Sequence, residues 1–211
     1  MKLHYCPRTR SFTSLWMLEE CGAKYDLARV DITSPNHPSP DFLKVNPLGK
    51  LAALEDGGPG FGETAAILGY LADKYPAKKL APMPTDPRRG RYLQWLIYAP
   101  AVIEPAMMAK AMNMPSNTKS AGYGDYDRAM KALEDALPKG GWLMGADFSA
   151  ADLYIASTLS FGMMFKMIDA RPAFVAFADR AKARPAWAAA QAIDAREAAA
   201  FDADKGKWAK S

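Results

Sequence analysis

The stretch Cys6-Pro7-Arg8-Thr9-Arg10-Ser11 places a thiol, two hydroxyls and two guanidinium groups within six consecutive residues. It runs into segment 12–21, where Leu15, Leu18 and Cys21 fall at helical spacing and Gly22 supplies a stop. Groups at a helix start meet the positive end of the helix dipole, so donors there suit an anion and a thiol there is acidified. Ser11 is equally a ready N-cap, the commoner use of a serine in front of a helix. A second helix start stands at Glu63-Thr64, ahead of 63–74. Free backbone N–H groups and the Thr64 hydroxyl would suit a carboxylate there, and Glu63 could pair with an ammonium. Both residue types also fit an ordinary first turn. Lys50, after Asn46-Pro47-Leu48-Gly49, is a point charge for a second carboxylate, or a plain loop lysine. Other chemistries find less support. His4 and His37 share no ligand spacing with Cys6 and Cys21, so no metal centre is expected. No elbow motif supports a Ser-His-Asp arrangement.

These loops need elements to hold them. Lys2–Cys6 and Tyr25–Ile32 alternate as strands, with helix 12–21 between them. A loop over 34–40 and a short helix near 41–45 follow. Leu51–Leu54 and Gly60–Phe61 flank Glu55-Asp56-Gly57-Gly58 as a hairpin, before helix 63–74 stopped by Pro76. The order is βαβ, then ββα. A proline-rich linker leads to Asp86-Pro87, a helix start. Beyond it the pattern is helical, at about 87–111, 123–138, 149–168, 172–183 and 185–200. The chain therefore divides into a small α/β domain over 1–77, a linker over 78–86 and an all-helical domain over 87–211.

The chain has 211 residues, 50% hydrophobic and 24% charged, which excludes a disordered chain. At this size roughly 70% of the unfolded surface can be buried, so no disulfide framework is needed. Two cysteines point to a reducing, cytoplasmic compartment. The opening MKLHYCPRTR has no apolar core of a secretory signal. The apolar stretches 93–109 and 153–168 are interrupted by polar residues and proline, so no membrane partner is expected. The net charge of +4 mildly favours acidic ligands. Its only dense basic run is Arg88-Arg89-Gly90-Arg91, and no nucleic-acid partner is expected.

Four segments, in order, resemble the cytosolic glutathione transferase superfamily. Residues 1–32 look like the opening of its bacterial beta type. VNPLGKLAALEDGGPGFGETAAILGYLADKYP at 45–76 matches the Asn-Pro-x-Gly-Lys, Glu-Ser-x-Ala-Ile and Tyr-Leu pattern. Phe148-Ser149-Ala150-Ala151-Asp152 is similar to the family's capping motif, and Arg184-Pro185-Ala186-Trp187 falls near the end. The resemblance implies an α+β thioredoxin-like N-terminal domain followed by an all-α C-terminal domain. It implies glutathione as co-substrate, a hydrophobic small molecule as second substrate, and a homodimer. It implies that Glu63 and Thr64 hold the γ-glutamyl end, that Lys50 reaches the glycyl carboxylate, and that Leu51 pairs its backbone with the ligand like an added strand.

The chain departs from the family twice. Proline normally follows the position of Leu51, in the cis form; here it is Ala52. A cis bond before a non-proline residue costs about 2.5–4 kcal/mol, so a trans Leu51–Ala52 bond is the expectation. The beta-type cysteine is replaced by Arg10. A thiol of pKa ≈ 8.5 needs about 2.7 kcal/mol to fall by ~2 units. One hydroxyl donating to the thiolate supplies roughly 1.5–3 kcal/mol, so a single Ser or Thr suffices. Thr9, Ser11 and Arg10 are the catalytic candidates, with Tyr5 as a further hydroxyl; which one meets the sulfur depends on loop geometry.

In the helical domain, Tyr98, Met107 and Met108 are the candidate lining of the hydrophobic pocket, since methionine suits adaptable apolar surfaces. Core packing is the alternative for each. Ser149 and Asp152 read as a reciprocal helix cap, hence structural. The leading function is activation of the glutathione thiol for attack on a hydrophobic electrophile. The alternatives are a non-catalytic binding or scaffold protein of this fold, and a glutathione-dependent thiol–disulfide reductase or lyase, which would need a reactive Cys6.

Overall fold

The computed structural model describes residues 1–115 and 118–204. The chain forms two compact units: residues 1–71 together with the segment that starts at Pro185, and residues 72–184.

The first unit opens with strand β1 (Lys2–Tyr5), helix α1 (Ser11–Cys21) and strand β2 (Asp26–Arg29). Helix α2 (Pro40–Val45), strand β3 (Ala53–Glu55) and helix α3 (Thr64–Lys74) follow. The sheet order is β2-β1-β3, with β1 parallel to β2 and antiparallel to β3. β1 is the central strand and is covered on both faces, which is why its sequence alternates only weakly: Leu3, His4 and Tyr5 are all buried. The expected second strand of the hairpin reduces to one bridge, Leu54 to Phe61, closed by N–H···O bonds of 2.8 and 3.0 Å. α1 ends as Gly22 suggests, in a left-handed residue (φ 58°) whose neighbouring N–H groups satisfy the carbonyls of Leu18 and Glu19.

The second unit contains helices α4 (Arg89–Tyr98), α5 (Glu104–Ala111), α6 (Tyr126–Ala136), α7 (Ala150–Met164) and α8 (Pro172–Lys182). The expected single helix 87–111 is broken by a π turn at Ala99–Ile103, because Pro100 cannot donate to the helical ladder. α7 is buried along most of its length and packs on α4 and α8. Its start is the reciprocal cap read from the sequence. Ser149 Oγ accepts from the Asp152 N–H (3.4 Å), and the Asp152 carboxylate accepts from Ser149 N–H (2.9 Å), Ser149 Oγ (2.6 Å) and Leu143 N–H (2.7 Å). Asp152 is fully buried, and burial pushes its carboxyl up against the opposing pull of those hydrogen bonds.

The last helix, α9 (Pro185–Ala203), packs with the first unit rather than extending the helical one. Trp187 sets its ring edge-on against Phe12 and Trp16 of α1, each at 4.8 Å. No helix among the described residues is long and apolar enough to cross a membrane.

Candidate functional site

The sheet brings three chain segments to one end. β1 runs out at Tyr5 into the loop 6–10. β3 runs the other way, with His4 opposite Ala53, so the same register carries Leu51 and Ala52 alongside the end of β1. The Leu54–Phe61 bridge continues toward Glu63 and the start of α3. Backbone pairing thus sets the end of β1 beside the start of β3, with the Leu54–Phe61 bridge next to them.

In the first segment the hydroxyls divide their work. Ser11 is fully buried and is the first residue of α1, not its cap. Its Oγ donates to Cys6 O (2.9 Å) and accepts from Cys6 N–H (3.2 Å), tying the loop closed from inside. The N-cap position is held by Arg10, whose side chain caps nothing. Thr9 does the local capping instead: its Oγ1 accepts from Ser11 N–H (3.2 Å), donates to Cys6 O (2.8 Å) and lies 2.7 Å from Ser11 Oγ. Whereas Ser11 is fully buried, Thr9 is half-buried. The bond it accepts polarises it and makes it a better donor.

Two other candidates are committed elsewhere. The Tyr5 hydroxyl donates to Asp194 on α9, and burial with that carboxylate pushes the phenol far up. The Cys6 thiol is buried and its pKa is pushed up by desolvation, against an opposing contact with the Ile32 backbone. A thiol so placed is a poor nucleophile.

In the second segment, Asn46 is the organiser that sequence reasoning missed. Its Nδ2 donates to Lys50 O (2.7 Å) and its Oδ1 accepts from Leu48 N–H (3.1 Å). Gly62 makes room for it, since a Cβ there would lie 2.6 Å from Asn46 Nδ2. An Asn followed by Pro and Gly is a turn signal that could have revealed this. The Leu51–Ala52 peptide is cis, which corrects the trans expectation; the loop is fixed on one side by Asn46 and on the other by the Leu54–Phe61 bridge. Leu51 is half-buried, and among the described residues its N–H and C=O have no hydrogen-bond partner. Lys50 is exposed, with no ion-pair partner among the described residues.

In the third segment, Glu63 sits in the left-handed region (φ 64°), unusual for a residue with a side chain, immediately before α3. Such strain persists where the surroundings demand it, commonly at ligand sites. Thr64 is half-buried as the first residue of α3. Among the described residues the N–H groups of Thr64, Ala65 and Ala66 have no acceptor, as an anion site requires.

The pocket candidates of the helical unit have different environments. Tyr98 donates its hydroxyl to Ala129 O (3.0 Å) and packs its ring tilted against Trp95. Met107 is a core residue, 4% exposed, whereas Met108 is 44% exposed. A cavity of about 440 Å³ in this unit is lined by other residues, including Lys110, Met114, Tyr123 and Tyr126. A larger cleft of about 980 Å³ lies beside β2, α2 and α9 in the first unit and contains none of the candidate residues. Within it Lys2 and His4 meet Glu55, and Arg29 and Arg196 meet Glu197.

Residues 1–73 match the family model of the glutathione S-transferase N-terminal domain. Glutathione S-transferase GstA of Escherichia coli O157:H7 is 28% identical over 189 residues, covering 88% of this chain and 94% of that protein. The structure of a glutathione transferase from Methylococcus capsulatus is 33% identical, with a TM-score of 0.76 over 92% of this chain and 98% of the other. A sphingomonad glutathione S-transferase, solved in complex with glutathione, is 32% identical with a TM-score of 0.75, over 92% and 99% of the two chains. Thioredoxin-like sheet, helical second unit and sequence agree: the chain belongs to the cytosolic glutathione transferase superfamily.

Proposed function

We propose that this enzyme, a glutathione transferase, ionises the glutathione thiol at Thr9 and directs it to a hydrophobic electrophile. The carrying observation is the division of labour in the loop. Thr9 and Ser11 both donate to the Cys6 carbonyl, so the half-buried Thr9 can turn its proton to a sulfur while Ser11 keeps that carbonyl paired from within. Thr64 and the open N–H groups of α3 hold the γ-glutamyl carboxylate, and Glu63 takes the ammonium. The unpaired Leu51 backbone aligns the cysteinyl residue. Lys50 meets the glycyl carboxylate. Arg10, beside Thr9, adds a favourable field for the anion.

The thiol proton leaves to solvent, and Thr9 donates to the resulting thiolate. The sulfur lone pair then forms a carbon–sulfur bond, and a leaving group departs with its electron pair or the adduct takes up a proton. Exposed Met108, Met112 and Met114 give the helical unit an adaptable apolar surface, which suits a hydrophobic second substrate. The burial of Cys6 argues against the thiol–disulfide reading, because that chemistry needs an accessible thiolate. A cytoplasmic homodimer completes the proposal, on the strength of the family alone.

Calorimetric titration with reduced glutathione and with its S-methyl derivative tests the reading, alongside the thiolate absorbance of the complex. Micromolar to low-millimolar binding of both, with thiolate present at neutral pH, is the expected result. No binding of either, or a bound thiol with its ordinary acidity, would sink it.

A further inference from the structure

Loop 6–10 is not a free-standing loop. Immediately before Thr9, Arg8 adopts a left-handed backbone conformation (φ 60°), which a side-chain-bearing residue enters only at an energetic cost. Helix α9 holds it there from the far end of the sequence. One carboxylate oxygen of Asp194, Oδ1, accepts from the Arg8 N–H (3.2 Å) and from the Tyr5 hydroxyl. Asp202, two turns further along α9, takes the Arg8 guanidinium bidentately at 3.0 and 2.6 Å. The other charged groups acting on Tyr5 and Cys6 are Glu197 and Asp31.

We infer that Asp194 is a positioning residue for thiol activation: by gripping Tyr5 and Arg8 through one oxygen, it fixes the backbone that aims the Thr9 hydroxyl. The inference rests on the Thr9 reading above. Its content is geometric rather than electrostatic. A carboxylate near a thiolate opposes ionisation, so what Asp194 contributes is an acceptor in the right place. The two donors converge on one oxygen, and an asparagine amide oxygen can accept both.

The role therefore separates two substitutions that a charge effect would group together. Asp194→Ala removes the acceptor and releases Arg8. The thiol of bound glutathione should then titrate about one pH unit higher. The turnover number should fall about 10- to 100-fold, as for a displaced catalytic group, with little change in KM for glutathione. Asp194→Asn keeps the acceptor and should restore the wild-type pH profile. Should Asp194→Ala not fold, Asp202→Ala tests the same grip from an exposed position and should move the profile the same way by a smaller amount.

The experiment is the pH dependence of kcat/KM together with thiolate absorbance of the glutathione complex, for the full chain and each variant. An unshifted profile in Asp194→Ala, or in Asp202→Ala where the first does not fold, overturns the positioning role while leaving the Thr9 reading intact. A shift in Asp194→Asn equal to that in Asp194→Ala overturns it in favour of charge. Absence of a thiolate in the wild-type complex overturns both.

Discussion

The hydroxyl oxygens of Thr9 and Ser11 lie 2.7 Å apart and share the carbonyl of Cys6, but Ser11 is sealed inside the loop and Thr9 is not. Equivalent hydroxyls thus sit in different environments, and the proposed reading gives Ser11 the structural role and Thr9 the thiolate. Thr9→Val should lower kcat/KM by about 100-fold, the order seen when a single anion-stabilising donor is lost, with the melting temperature nearly unchanged. Ser11→Ala orphans the buried Cys6 N–H and should cost about 1–3 kcal/mol of stability. Steady-state kinetics and denaturant unfolding of both variants decide it; an active Thr9→Val beside a stable, inactive Ser11→Ala would exchange the roles.

At the ligand's ends the expected effects are on affinity. On the proposed reading Thr64→Ala removes a hydrogen bond to a carboxylate, and it should weaken glutathione binding by about tenfold or more. Lys50 is exposed, so Lys50→Ala should weaken it only about two- to fivefold. The Lys50 effect should vanish for glutathione esterified at its glycyl carboxylate. Calorimetry with both ligands gives the answer, and a Lys50 effect that survives esterification removes the assignment.

Asp152 should matter to stability alone. Asp152→Ala leaves the buried N–H groups of Leu143 and Ser149 without their acceptor, a loss of about 2–5 kcal/mol. Turnover per folded molecule should be unchanged. A stable but inactive variant contradicts a purely capping role.

Glu55 links the sheet to pH. It accepts from His4 (2.7 Å) and lies 3.2 Å from Lys2, and these partners hold its carboxyl below the ordinary value of 4.5. A carboxyl acidified by folding stabilises the native state above its unfolded pKa, and that contribution disappears as pH falls through the folded value. The melting temperature should therefore decline below about pH 4.5 more steeply for the wild type than for Glu55→Gln. Parallel melting curves for the two proteins from pH 6 to pH 3 would count against the linkage.

What was legible in the sequence was written in local chemistry. Gly22 ends a helix because of its own φ, and Ser149 with Asp152 opens one because three residues separate them on the first turn. The strand and helix order of the first 74 residues was readable for the same reason, apart from a hairpin that shrank to one bridge. Ser11 defeated local reasoning, since its hydroxyl turned backward to Cys6 rather than forward to cap α1. The Leu51–Ala52 peptide did so too, because residue identity argues for trans while Asn46 and the Phe61 bridge set the surrounding loop. Tyr98, Met107 and Met108 look alike as apolar residues in sequence; only packing separates a core side chain from a surface one.

The return of α9 to β1 has a consequence for how the protein is made. On the ribosome the thiol-activating loop emerges first and its clamp last, with more than 170 residues of chain synthesised between Thr9 and Asp194. At about 5–20 residues per second, that delay is roughly ten to forty seconds. During it Tyr5 lacks the carboxylate it donates to, and Trp16 lacks the indole of Trp187. On the Asp194 inference, a nascent chain arrested before Pro185 should carry all the proposed glutathione-contacting residues and yet leave the bound thiol less acidic, so that full activity would wait for α9 (Pro185–Ala203) to be made.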